Sequence, residues 1–128
     1  MKKTIEVVAA VIQRDGLYFC AQRPDRGELA RKWEFPGGKI EHGESPEKAL
    51  KREIKEELDT DVFVHNYMLT VHHEYNTFII TLHAYLCSIL QGNLDLSEHI
   101  SSRWISANDM IDLDFAEADK PIIEYLLK

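Results

Sequence analysis

The spacing of apolar positions changes period along the chain, and those changes mark its elements. Thr4 to Gln13 (TIEVVAAVIQ) is β-branched and apolar, Asp15-Gly16 is a tight-turn dipeptide, and Leu17 to Gln22 (LYFCAQ) is apolar again. That pattern predicts a β-hairpin. Arg23 to Lys32 is polar and holds Pro24 and Gly27, so a loop is expected, running into the short apolar segment Trp33-Glu34-Phe35-Pro36. A helical period begins at Ser45-Pro46, with Ser as N-cap and Pro at the first helical position, where its missing N–H costs nothing. From there to Leu58, the residues Leu50, Ile54 and Leu58 recur at four-residue spacing beside Ala49 and form one apolar stripe.

Val62 to His73 and Phe78 to Leu90, rich in Val, Ile, Thr, Tyr and Phe, predict two long strands joined around Glu74 to Thr77. Ser101 to Ile105 reads as a short strand and Ala107 to Ile111 as a brief helix. A terminal helix is expected over Ala116 to Leu127, with Ile122, Ile123, Leu126 and Leu127 on its apolar side. No internal repeat or linker is visible, so one domain is expected over residues 1–128. Its class is α/β, a mixed β-sheet sandwiched between α-helices.

Composition narrows the partners. A chain of 128 residues with a 45% hydrophobic share is of a size to bury its own core. The net charge of −7 argues against a nucleic acid polymer, whose binding needs many Lys and Arg against phosphates. A small anionic ligand is compatible with that charge if metal ions held by carboxylates supply the cations. Cys20 and Cys87 lie far apart in apolar surroundings without CxxC spacing, and read as buried thiols of a reducing cytoplasm. The apolar run Val7 to Ile12 is too short to cross a membrane and precedes no cleavage-like site.

The chemistry concentrates between residues 37 and 57. Gly37-Gly38 precedes Glu44, then Arg52-Glu53, then Glu56-Glu57. On a helix, Glu53, Glu56 and Glu57 lie at i, i+3 and i+4 and project from one face, where like charges repel by a few tenths of a kcal/mol per pair. A solvated acidic face is the commoner explanation for such a run taken alone. Here the apolar stripe fixes the opposite face on the sheet, while Gly37-Gly38 lets backbone approach the acids. Hard oxygen ligands of this kind suit Mg²⁺, with Mn²⁺ as a substitute. The six histidines form no zinc pattern, and no GxSxG elbow indicates a serine hydrolase.

The segment Gly38 to Thr60, GKIEHGESPEKALKREIKEELDT, resembles the Nudix signature Gly-x5-Glu-x7-Arg-Glu-U-x-Glu-Glu-x-Gly-U, where U is a bulky aliphatic residue. Gly38, Glu44, Arg52, Glu53, Ile54, Glu56 and Glu57 fall into register. Asp59 stands where the family has Gly and Thr60 where it has an aliphatic residue. Asp tolerates the left-handed conformation that the helix-ending Gly adopts, so the chemistry is expected to survive. The likeness extends to the MutT-like branch, most closely to its cytidine triphosphate pyrophosphohydrolases. It is carried by EVVAAVI, AQRP at Ala21 to Pro24, WEFPGGKIE at Trp33 to Glu41, LHAY at Leu82 to Tyr85, Glu98-His99 with Trp104, and AEADKP.

The resemblance implies a Nudix fold in which the Gly37 carbonyl, Glu53, Glu56 and Glu57 hold divalent metals, joined by Glu98 from a later loop. Either Glu53 or Glu98 is the implied general base. Arg52 would orient an acid or form an ordinary surface ion pair, and Glu44 would stand one layer out from the metal. Around the nucleotide the resemblance places Arg23, Phe35, Phe78 and Asp119. Gly38 and Lys39 would lie against the phosphates, although Lys39 also reads as a solvated strand-end lysine. For Phe35 and Phe78 the alternatives are base stacking and core packing; for Asp119 they are base selection and an electrostatic role at a helix start.

The implied reaction is Mg²⁺-dependent hydrolysis of a nucleoside triphosphate, a small-molecule substrate, to a monophosphate and pyrophosphate. CTP, dCTP or modified cytosine nucleotides lead, with 8-oxo-dGTP as the nearest rival. ADP-ribose, dinucleoside polyphosphates and a non-catalytic nucleotide-sensing module share the signature. Monomer and homodimer are both open.

Overall fold

The computed structural model describes residues 1–128. The N-terminal β-branched run forms β1 (Lys3–Arg14), and Asp15 and Gly16, both at positive φ, turn it into β2 (Leu17–Gln22). Two successive positive-φ residues match the twist of a tight hairpin, and Gln13 pairs with Tyr18 across it. Short strands β3 (Trp33–Glu34) and β4 (Gly37–Lys39) follow, then α1 (Pro46–Leu58), the long strands β5 (Asp61–Glu74) and β6 (Phe78–Gln91), and β7 (Ser101–Ile105). The sheet runs β3-β2-β1-β6-β5, with β4 antiparallel to β1 and β7 to β2. It is mixed because β1 pairs with β6 in parallel, from Lys3 against Phe78 to Ile12 against Cys87.

The uninterrupted apolar run of β1 reflects a central strand buried on both faces. Val8, Ala10 and Ile12 pack under Leu50, Ile54 and Leu58 of α1. Ala9 and Val11 face the second core, with Met110, Phe115, Ile122 and Ile123. Burying three branched or leucine side chains of α1 contributes roughly 1.5 to 3 kcal/mol each before chain entropy is counted. This fixes which face of the helix is left for the acids.

Both departures from the signature have local explanations. Asp59 adopts the left-handed conformation (φ 49°, ψ 44°), and its N–H bonds the Lys55 carbonyl, so it ends α1 as Gly would. Thr60 is fully buried; its hydroxyl donates to the Leu58 carbonyl (3.0 Å) and accepts from the Leu94 N–H (2.9 Å). The Asp95 N–H also reaches the Leu58 carbonyl, and Ser97 Oγ donates to the Glu57 carbonyl at 2.7 Å. Position 60 has exchanged an aliphatic contact for a hydrogen bond that ties the loop before β7 to the end of α1.

The C-terminal region departs from the expected single helix. A 3₁₀ turn (Glu117–Asp119) precedes α2 (Lys120–Leu126), with Pro121 in its first turn. Proline is suited to a helix start and breaks one that arrives from upstream. Ile122 and Ile123 are buried as expected, but Leu127 lies past α2 and is 46% exposed. The brief helix expected at Ala107 to Ile111 is a 3₁₀ segment at Asn108–Asp112. No helix is long and apolar enough to cross a membrane.

Candidate active site

The acidic face of α1 lies against β4 at the closest approach the chain allows. A Cβ on Gly37 would run into the Val8 carbonyl, and one on Gly38 would fall within the Glu53 carboxylate. Space therefore requires glycine at 37, where backbone blocks a Cβ, while a side chain at 38 would displace the Glu53 carboxylate.

Arg52 is the hub of the acids. Its Nε and Nη2 donate to the two oxygens of Glu44 at 2.7 and 2.8 Å, Nη1 donates to Glu53 Oε1 at 2.8 Å, and Nη2 also reaches the Lys39 carbonyl at 3.0 Å. This fork geometry is what a guanidinium offers and an ammonium does not. Glu44 also accepts the Glu41 N–H at 2.9 Å. The Arg52 bond, followed by that backbone bond, lowers the Glu44 pKa to about 2, and the bonds to Glu44, Glu53 and Glu56 raise that of Arg52. Arg52 thus joins α1, β4 and the loop at Glu44 through bonds to four residues rather than through one surface pair.

Glu57 is pushed well above the ordinary carboxylate range, first by burial and then by the charges of Glu53, Glu34 and Glu98. Arg52 neutralises Glu44 and one oxygen of Glu53, and the repulsion that remains falls on Glu57. Gly38, Lys39, Glu41, Glu53, Glu56, Glu57, Ser97 and Glu98 line one cleft. As the side chains lie, no three of the carboxylates converge on a metal-binding point. The donors nonetheless fit a hard divalent ion in kind, since all are oxygens and the burial of Glu57 penalises its charge.

A cavity of about 310 Å³ adjoins this cleft, and Gly38, Lys39, Glu57 and Glu98 line both. Arg23, Glu34, Phe35, Tyr75, Phe78, His99 and Asp119 complete its chemistry. Asp119 is 5% exposed, and its Oδ2 accepts the Phe35 N–H at 2.9 Å. It stands at the N-cap position of α2 but makes no side-chain capping bond there, the one hydrogen bond its carboxylate accepts coming from Phe35 instead. Burial above all, then the charge of Glu34, raises its pKa well above the ordinary value, against the Phe35 N–H and Arg23.

Phe35 packs into the core beside Phe115, with ring centres 5.6 Å apart, and also forms part of the cavity wall. The aromatic pair at the cavity is Tyr75 and Phe78, 5.0 Å between centres. Arg23 donates to Glu34 Oε1 at 3.4 Å, while His99 Nε2 bonds Glu34 Oε2 at 2.8 Å.

Every site residue named from the sequence thus lies on the cleft, on the cavity or, for Glu44 and Arg52, directly behind the acids. Sequence reasoning missed Glu34, Tyr75 and the contact made by His99. An acid between the buried residues Trp33 and Phe35 was the available signal for Glu34. Tyr75 carried none, because it sits in what reads as a connecting turn.

An acidic helix packed on a mixed sheet, with the signature glycine against its first acid, defines a class. A sequence profile of the NUDIX domain matches residues 7–125, and the chain belongs to the Nudix hydrolase family, which generally uses divalent metals and acts on small nucleotide substrates. It is 42% identical over 122 residues to the CTP pyrophosphohydrolase of Escherichia coli, covering 95% of this chain and 90% of that one. An 8-oxo-dGTP diphosphatase of Proteus vulgaris is 42% identical over 94 residues, 73% of this chain and 84% of the relative. Among solved structures, the E. coli ORF135 protein superposes with a TM-score of 0.84 at 40% identity, covering 98% of this chain and 90% of that one.

Proposed function

We propose that the protein is a Mg²⁺-dependent pyrophosphohydrolase that converts cytosine nucleoside triphosphates, CTP, dCTP or their modified forms, to the monophosphate and pyrophosphate. The observation carrying this reading is the continuity of the acid cleft with a cavity floored by a buried carboxylate. Phosphates at the first place the base at the second. The Gly37 carbonyl, Glu53, Glu56, Glu57 and Glu98 hold the metal. When bound, Mg²⁺ neutralises charge on the phosphates and lowers the pKa of water. Either Glu53 or Glu98 takes the proton of the attacking water. Glu53 has one oxygen fixed by Arg52 and its carboxylate packed against Gly38, whereas Glu98 is exposed on its loop. Lys39, whose side chain has no acidic partner, faces the phosphates.

Asp119 Oδ1 makes no hydrogen bond within the protein; burial favours the protonated acid when the cavity is free, and a base that presents a donor stabilises the ionised form, which only accepts. Cytosine presents its N4 amino group to such an acceptor, while uracil presents a carbonyl. Guanine also carries donors, and the likeness to the Proteus diphosphatase keeps 8-oxo-dGTP as the second reading. Two buried, unpaired cysteines support residence in a reducing cytoplasm. The test is turnover of CTP, dCTP, 5-methyl-dCTP and 8-oxo-dGTP with Mg²⁺ and chromatography of the products. Orthophosphate with a nucleoside diphosphate as the main products would reject the reaction. Binding without turnover would support the sensing module instead.

A further inference from the structure

Between the acid cleft and the base floor stands one carboxylate that neither metal binding nor base selection employs. Glu34 ends β3, one residue before Phe35, whose N–H holds Asp119, and four before Gly38 at the acid cleft. Its side chain is 17% exposed and lines the cavity. Its Oε2 is held by His99 at 2.8 Å, and Oε1 faces Arg23 at 3.4 Å. The His99 ring is only 5% exposed, and its Nδ1 is buried without a partner, so the bond to Glu34 is the one polar contact its side chain makes. Arg23 Nε is likewise buried and unpartnered. Ordinary packing satisfies such atoms. What this arrangement secures is the direction of the Glu34 carboxylate.

A carboxylate accepts hydrogen bonds and donates none while ionised. In a nucleotide, the only donors between the base and the phosphates are the sugar hydroxyls. We propose that Glu34 accepts a hydrogen bond from the 3′-hydroxyl of the nucleotide sugar, the one that ribose and deoxyribose share, and that His99 is the residue positioning it, with Arg23 balancing the charge. This rests on the triphosphate reading given above. Glu34 also acts electrostatically on both Glu57 and Asp119, which agrees with a position midway along the bound nucleotide.

The experiment compares dCTP with 2′,3′-dideoxy-CTP, and dGTP with 2′,3′-dideoxy-GTP, in steady-state kinetics of the full chain with Mg²⁺. The wild type is expected to favour the hydroxyl-bearing member of each pair about tenfold or more, as a bond to a charged acceptor warrants, chiefly through KM. Glu34→Gln and His99→Ala should reduce that preference by about threefold or more, acting mainly on the hydroxyl-bearing substrate. His99→Gln, which keeps an N–H for Glu34, should retain most of the preference. Thermal unfolding of each variant establishes that it is folded.

Equal efficiencies within both pairs for the wild type would overturn the sugar contact while leaving the pyrophosphohydrolase reading standing. Losses in folded His99→Ala that fall equally on both members of a pair would overturn the positioning role. Absence of turnover of all four nucleotides by the wild type would overturn both readings.

Discussion

Replacing Glu57 by Gln is expected to stabilise the metal-free protein while removing its activity. Burial and the charges of Glu53, Glu34 and Glu98 raise the folded-state pKa of Glu57 from an ordinary 4.5 to above neutrality. Folding at pH 7 therefore requires this group to take up a proton. Each pH unit between the unfolded pKa and the working pH costs about 1.4 kcal/mol, which gives roughly 3 kcal/mol at pH 7 and about 2 once residual exposure is allowed for. The sign follows from proton binding. The folded state holds the extra proton, so the penalty is absent below pH 4.5, grows as pH rises, and levels off above the folded pKa. Gln keeps the shape without the charge and escapes it.

Thermal unfolding in EDTA should show Glu57→Gln melting about 5 to 10 °C above the wild type at pH 7.5, with the gain shrinking toward pH 5.5. Excess Mg²⁺ should stabilise the wild type by mass action and the variant much less. A variant no more stable than the wild type in EDTA, or a gain independent of pH, would refute the argument that Glu57 sits in uncompensated negative charge.

Glu53→Gln is expected to lower kcat at least about a hundredfold with Mg²⁺ while the fold persists, which turnover and circular dichroism of the same sample would establish. Asp119→Asn should reduce discrimination between CTP and UTP by about tenfold, because an amide both donates and accepts; an unchanged ratio of kcat/KM would remove Asp119 from base selection. Thr60→Val is isosteric but strands the buried Leu94 N–H, so it should cost about 1 to 3 kcal/mol in chemical denaturation. It should also lower kcat through the loop that carries Glu98.

The legible parts of this chain were those in which local physics decides. Ser45 and Pro46 start α1, and the four-residue spacing of Leu50, Ile54 and Leu58 orients it, so the face carrying Glu53, Glu56 and Glu57 followed directly. The hairpin at Asp15-Gly16 and the strand Ser101–Ile105 were equally local. The end of the chain was harder, because the apolar spacing after Ala116 looks helical while Pro121 confines α2 to a later start.

Within the site, the signature residues were readable because their spacing is fixed by one helix. Glu34, His99 and Tyr75 come together only when β3, the loop before β7 and the end of β5 meet around a cavity. Their separations in sequence carry no period. The Phe35 ring could not be assigned to core or ligand until its neighbour Phe115, far along the chain, was seen beside it.

The hydroxyl of Thr60 also bears on motion. The Leu94 and Asp95 N–H groups terminate on Thr60 and on the last carbonyl of α1, and the Ser97 hydroxyl terminates on Glu57. Opening those amides to solvent exchange requires freeing the end of the metal helix, so the loop and that helix turn should share one opening free energy and exchange as a unit. A surface loop outside regular secondary structure would then be as slow to exchange as the helix end it leans on, and Glu98 would keep its distance from the other acids through the thermal fluctuations of the sheet.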